Sequence, residues 1–362
     1  MKKSILIISN MYPSKKYPHY GVFVENCSKI LENAGYRVNV VGLQKNDNKI
    51  AKTLSYALFF CKSIFRGLFG KYDAIYGHYA SHVALPILVI RKLKKVKVII
   101  NVHGNDIVPE TANDYRYLRL VHKLLSVANY YIAPSQYFKD ILINEYGCDE
   151  KLIVVYPSGG VDSEVFHPID KQEARHSLNI DQNYNYVGYV SRIEKNKGWD
   201  IFLYAIAGLM KEDKKIRAIV VGDGNEIPEY DDLVERLAIK DKIIKYDLLP
   251  QHDIANIFNA LDVFVFPTYR KSESLGLVGL EAMACGTKVV LPNKYGPASY
   301  GNDGYNCFQF LSGDERSLSV AIKKALESDN KIIAGALRTV EQYSLNNTES
   351  VLLGLFKYIL NC

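Results

Sequence analysis

Short β-branched runs alternate with longer segments of helical period along this chain, and the alternation breaks off midway and starts again. That is the pattern of parallel sheets covered by helices on both faces. In the first half, strands are predicted near Ser4–Ser9, Arg37–Gly42, Ala74–Tyr76, Val96–Val102, Tyr130–Ala133 and Leu152–Tyr156. A polar stretch from Pro168 to Asn185 follows. Strands then resume at Tyr186–Ser191, Ile216–Gly222, Lys242–Lys245, Val263–Phe266 and Thr287–Leu291. For 362 residues this predicts two doubly wound, Rossmann-like α/β domains, residues 1–168 and 169–345. A closing amphipathic helix is expected over Asn346–Leu360, within residues 346–362, with Val351, Leu352, Leu355, Phe356, Tyr358 and Ile359 apolar.

Ligands of open parallel sheets bind beyond the carboxyl ends of the strands, so the residues directly after each strand are the ones to read for chemistry. Two such domains facing each other would form a central cleft suited to a sizeable polar ligand. Several classes drop out. A chain that is 48% hydrophobic and 23% charged is not intrinsically disordered. The six cysteines have no C-x-x-C spacing, which argues against a zinc site or a disulfide scaffold and for cytosolic thiols. No uninterrupted apolar run approaches the length of a membrane span. After Met1-Lys2-Lys3, the run Ile5–Ile8 is too short for a secretion signal and reads as a strand.

The most informative segment runs from Phe266 to Gly286, out of an apolar strand and into a helix. Glu273 and Glu281 lie eight residues apart, a span of roughly 12 Å if helical at about 1.5 Å per residue. That is about the reach of a nucleotide sugar from hexose to ribose. Between them, the amides of Ser274, Leu275 and Gly276 would open a helix whose unpaired donors and dipole favour a diphosphate. Taken by itself, such a pair is equally a first-turn acid and a solvated helix residue.

The phrase E-S-L-G-L-V-G-L-E-A-M-A-C-G-T-K-V-V resembles the signature of glycosyltransferase family 4, the retaining enzymes of the GT-B fold, departing at Leu275 and at Thr287-Lys288. Further segments are similar to the family's in the same order. Gly21, in Pro18–Val24, stands for one of two glycines in the loop after the first strand, and Tyr20 replaces the other. His103-Gly104-Asn105-Asp106 is similar to the family's H-G-x-D; Ile153–Pro168 resembles its domain junction; Gly188–Gly198, with Arg192 and Lys197, matches its G-R-x-x-x-x-K-G region. Gly222-Asp223-Gly224 looks like its G-x-G at the nucleotide edge.

The resemblance implies a GT-B fold whose last helix closes back toward the first domain, and a retaining transferase using a nucleoside-diphosphate sugar, UDP-sugar before GDP-sugar. It implies that Arg192, Lys197 and Glu281 hold the nucleotide, that Gly222 makes room for its base or ribose, that Glu273 and His103 meet the sugar, and that Gly21 and residues 274–277 approach the diphosphate. His103, Glu273, Arg192 and Lys197 form the expected catalytic set, with Asp106 orienting or capping. No cofactor and no metal are expected, and the chain has no D-x-D.

Residues through Pro168 carry 22 Lys and Arg against 13 Asp and Glu, a net of +9, while the remainder is mildly acidic. In Ala51–Gly70, Lys52, Lys62 and Arg66 fall within about 80° of one another on a helix rich in Phe, and Arg91, Lys92, Lys94, Lys95 and Lys97 follow. Together with the resemblance, these features imply as partners a lipid-linked saccharide acceptor of bacterial polysaccharide synthesis and the cytoplasmic face of the inner membrane, not nucleic acid. Competing readings are a sugar-nucleotide epimerase or phosphorylase of the same fold, and a non-catalytic two-domain small-molecule binder.

Overall fold

The computed structural model describes residues 2–361, the side chain of Lys49 excepted. Twelve strands form two all-parallel sheets. The first contains β1 (Ser4–Tyr12), β2 (Arg37–Gln44), β3 (Ala74–His78), β4 (Lys97–Asn101), β5 (Tyr130–Ala133) and β6 (Ile153–Val155), in the order β2-β1-β3-β4-β5-β6. In register, Ile5 faces Val38 and Ala74, and Ile7 faces Val40 and Tyr76. Ile5 to Ile8 are all fully buried because both faces are covered. Leu6 and Ile8 point into a core shared with Val83, Ile87 and Ile90. Ile5 and Ile7 point into the opposite one, with Leu352, Phe356 and Ile359 of the helix Leu345–Asn361.

The second sheet contains β7 (Asn185–Val190), β8 (Ile216–Val221), β9 (Ile243–Tyr246), β10 (Val263–Val265), β11 (Lys288–Pro292) and β12 (Phe308–Phe310), in the order β12-β11-β10-β7-β8-β9. One face buries Val187 and Tyr189 against Phe202, Leu203 and Ile206; the other buries Phe264 and Leu291 against Leu280 and Met283. Each sheet is thus doubly wound. The direction of winding reverses between β1 and β3 in the first and between β7 and β10 in the second, which are the places where such sheets bind ligands.

Two compact units result. The first runs through Gly159 and takes in the chain again from Thr348; the second is Gly160–Asn347. The junction therefore lies ahead of Pro168, and the polar stretch read as a linker belongs to the second unit. Val161 N–H donates to Tyr343 O at 2.8 Å, and Phe166 packs on Phe258. Within that stretch, the helix Lys171–Ser177 buries Arg175, whose Nη2 donates to Asp262 Oδ2 at 2.7 Å and whose Nε donates to Ala260 O at 2.9 Å. β12 has no counterpart among the predicted strands: three residues at a sheet edge are too few to show a period.

Candidate active site

In the second unit the loop leaving β7 and the loop leaving β10 are stitched together by their backbones. Tyr269 N–H donates to Asn196 O at 3.1 Å, and Thr268 Oγ1 donates to the same oxygen at 3.2 Å. Gly198 makes the approach possible. At φ +77° it lies so close to Pro267 that an added Cβ would sit 2.1 Å from the carbonyl oxygen. The stitch places Lys197 against Glu273, Nζ to Oε2 at 2.5 Å, with only 10% and 12% of the two side chains exposed. Thr268 Oγ1 also donates to Glu273 Oε2, at 3.2 Å, and the ammonium stands 5.9 Å from the Phe266 ring centroid.

Glu273 sits in a loop, not on a helix. The helix begins at Leu277, so the pair of glutamates does not span two helical turns as expected. Gly276, at φ +79°, caps the helix without any side-chain hydrogen bond, which leaves its first amides for an anion. Ser274 is half-buried, Leu275 lies in the core at 3% exposure and Leu277 packs on that core. Leu275 is therefore a packing residue, and its departure from the family phrase is a change within an apolar site.

Glu281 is half-buried and its carboxyl makes no hydrogen bond or ion pair among the described residues. Burial pushes its carboxyl up from an ordinary 4.5 to about 7. In the folded protein this group therefore holds an extra proton between those two values, and its contribution to stability falls as pH rises through that window. A ligand whose hydroxyls need the carboxylate has the opposite dependence. UDP affinity is expected to rise about tenfold per pH unit up to about 7 and to level off above it, with the slope absent in Glu281→Gln; calorimetric titration across that range measures it.

Arg192 stands apart from the pair. Its guanidinium is half exposed and bound to Glu194 Oε1 at 2.6 Å. Gly222 also differs from its expected role of making room for a ligand. Its φ is +149°, and a Cβ there would meet Ser191 O at 1.9 Å. It lets the turn after β8 lie on the loop after β7, where Ile193 N–H donates to Asp223 O at 3.0 Å.

In the first unit Gly21, at φ +76°, opens the helix Val22–Asn33 after β1, and a Cβ would lie 2.5 Å from Met11 C. His103 follows β4 and hydrogen-bonds His78, at the end of β3, Nε2 to Nδ1 at 3.1 Å. Burial lowers the His78 pKa and pulls His103 down to about 3, so both rings are neutral. His78 Nε2 is buried without a partner. A stranded N–H is the costlier state, so His78 donates through Nδ1 and His103 keeps its proton on Nδ1. Asp106 accepts from the amides of His103 (3.0 Å), Gly104 (2.8 Å) and Ala80 (2.8 Å), which makes it the orienting group expected of it.

Sequence reasoning missed His78, Thr268, Gly296 and Tyr300. A Cβ on Gly296 would meet Glu273 O at 2.5 Å, and Tyr300 OH donates to Gly276 O at 2.9 Å. Thr268 carries a weak signal, a hydroxyl directly after an apolar strand; the others carry none.

Residues 20–165 match the model of Glycosyltransferase Family 4, and residues 170–336 match that of Glycosyl transferases group 1. The architecture is that of the GT-B glycosyltransferases. The Anabaena protein HepE, solved in complex with UDP and glucose, superposes with a TM-score of 0.73 at 19% identity, over 99% of this chain and all of that one. The sucrose-phosphate synthase of Thermosynechococcus elongatus gives 0.79 at 18% identity, over 99% and 98%. By sequence, the D-inositol 3-phosphate glycosyltransferase of Stackebrandtia nassauensis is 31% identical over 229 residues, which is 60% of this chain and 51% of the relative. The chain spans about half the length of the curated relatives it matches. It belongs to the family 4 glycosyltransferases.

Proposed function

We propose that the protein transfers a sugar from a nucleoside-diphosphate sugar, UDP-sugar first and GDP-sugar second, to a lipid-linked saccharide, with retention of configuration and without a metal or other cofactor. The observation that carries this is the buried Lys197–Glu273 pair at the reversal point of the second sheet, next to a helix start that no side chain caps. Family membership and the complex of HepE with UDP-glucose support it.

The diphosphate rests on the amides from Ser274 to Leu277, where the helix dipole adds to the field of Lys197. Glu273 spends one oxygen holding the ammonium and Thr268, and offers the other to a sugar hydroxyl. Glu281 accepts from the ribose. Arg192, freed from Glu194, joins the phosphates. His103, neutral at any pH at which the protein works, serves the sugar or acceptor as a hydrogen-bond partner rather than as an acid. The acceptor hydroxyl attacks the anomeric carbon on the face the nucleotide leaves. The bond from that carbon to the phosphate oxygen breaks, and the hydroxyl proton passes to the departing phosphate. Lys197 offsets the charge that gathers there, so no protein base is required.

A cavity of about 250 Å³ at the carboxyl end of β2, lined by Tyr20, Gln44, Lys45, Asn46, Lys52 and Tyr56, suits an acceptor with an anionic group. The strongly basic first unit fits work on the cytoplasmic face of a bacterial inner membrane. The inositol phosphate named for the relatives gives a second reading, a soluble phosphorylated polyol as acceptor.

The test is nucleotide release from UDP-, GDP-, ADP- and dTDP-sugars in EDTA, with either membrane extract or D-inositol 3-phosphate as acceptor. Release from a UDP-sugar that depends on extract is the expected result. Dependence on the inositol phosphate would select the second reading. Release needing no acceptor would point to an epimerase or phosphorylase, and no release with no nucleotide binding would overturn the proposal.

A further inference from the structure

The helix Lys49–Phe69 turns its apolar residues two ways. Its inner side buries Phe59 and Ser63 and presses Gly67 so closely on the neighbouring helix that a Cβ would lie 2.3 Å from Ile90 Cδ1. Its outer side should be polar, as on any surface helix. Instead it carries Ile50, Leu54, Leu58, Phe65 and Phe69, exposed by 82, 60, 62, 62 and 73%. At about 100° per residue these five fall on one stripe roughly 100° wide along the whole helix. The rings of Phe65 and Phe69 lie 4.9 Å apart. Leu93, 66% exposed, ends the next helix, Ala80–Leu93. Lys94 ties the two helix ends together, its Nζ donating to Gly67 O at 3.0 Å and Leu68 O at 3.3 Å.

The charge around this stripe is mostly positive. From Asp47 to Asn105 there are ten Lys and Arg and two acids, Asp47 and Asp73, which pair with Lys16 and Lys3. Lys62 and Arg66 flank the stripe on its own helix, and Lys71, Lys92 and Lys95 are exposed near its end. A second copy of the chain would bring these cations against their own kind. An anionic lipid surface meets both the apolar stripe and its rim.

We propose that the outer face of Lys49–Phe69, with Leu93, is a docking face that lies in the headgroup layer of an anionic membrane. Phe65, Phe69, Leu58 and Leu54 enter the acyl boundary, and Lys62, Arg66, Lys71, Lys92 and Lys95 meet lipid phosphates. No helix among the described residues is long and apolar enough to cross a membrane, so the helix lies along the surface. Docking is separate from sugar transfer, because it needs no donor and either can fail without the other.

The full chain is mixed with vesicles of phosphatidylethanolamine and phosphatidylglycerol, or of phosphatidylcholine alone, and floated. Binding to the anionic vesicles only, weakened by salt, is expected. Phe65→Ser/Phe69→Ser and Lys62→Glu/Arg66→Glu should each lower it about tenfold or more, while Leu311→Ser, which removes an equally exposed residue of the second unit, should not. Unchanged circular dichroism and thermal melting of the full chain show that the variants are folded. In Phe69→Trp, tryptophan emission should shift to the blue on vesicles. Failure of the wild-type chain to bind anionic vesicles, or variants that bind as it does, would overturn the proposal. So would a dimer in sedimentation velocity that Phe65→Ser/Phe69→Ser splits.

Discussion

Lys197→Ala should lower turnover about 10³-fold and should also lower stability by about 3 kcal/mol, because it leaves Glu273 nearly buried with its charge unmatched. The two effects have different origins and can be separated. Lys197→Met/Glu273→Gln removes both charges while keeping side-chain volume and a hydrogen-bonding partner for Thr268. Its stability should return to within about 1 kcal/mol of wild type, since buried pairs replaced as a unit cost little. Its turnover should stay near that of Lys197→Ala, because the ammonium that offsets the charge of the leaving phosphate is still missing. Urea melts and initial rates on the two variants decide the matter. Full activity in the double variant would remove Lys197 and Glu273 from the chemistry and leave them as a structural pair.

Gly198→Ala is the second large effect, and it acts through backbone alone. The residue has φ +77° and would drive a Cβ to 2.1 Å from Pro267 O, an atom that cannot rotate away. Gly313 makes the matching control, with φ +85° and nothing within 4 Å of an added Cβ. Gly313→Ala carries only the cost of the left-handed conformation, about 1 kcal/mol. Gly198→Ala adds the separation of the β7 and β10 loops, and about 3 kcal/mol or more is expected. Lys197 is the adjoining residue, so activity should fall well below the loss from unfolding alone. Thermal melts of both variants, with rates measured below the melting range, test this; equal melts would show that the two loops are not locked together.

The strands were legible because burial on both faces leaves near-continuous apolar runs, as in Ile5–Ile8 and Ile216–Val221. The Lys197–Glu273 meeting was legible only as two separate motifs. What joins them is a backbone contact at Gly198 and a hydroxyl at Thr268, and neither leaves a period in the sequence. The domain junction was displaced because the segment after Pro168 is polar and mostly exposed, yet is anchored in the second unit by a buried charged side chain, Arg175, paired with Asp262. Polar composition reads as linker, while a buried ion pair reads the same way until its partner, 87 residues on, is seen beside it. His78 was invisible for a similar reason. Its meaning is a hydrogen bond to His103 across neighbouring strands, and alternation along one strand says nothing of its neighbour.

The helix Leu345–Asn361 gives the chain an order of assembly. Ile5, Ile7 and Tyr76 are made before the second unit, yet Leu352, Phe356 and Ile359, which pack on them, are made after it. A growing chain can complete the second unit, Gly160–Asn347, before it can close the first. Until that helix emerges, this face of the first sheet is covered only in part, by Val24, Cys27 and Leu31 of the helix Val22–Asn33, and a nascent chain must keep the rest from other apolar partners while the whole second unit is made. A ribosome that stalls near residue 345 would leave a chain with one finished unit and one sheet half covered on that face.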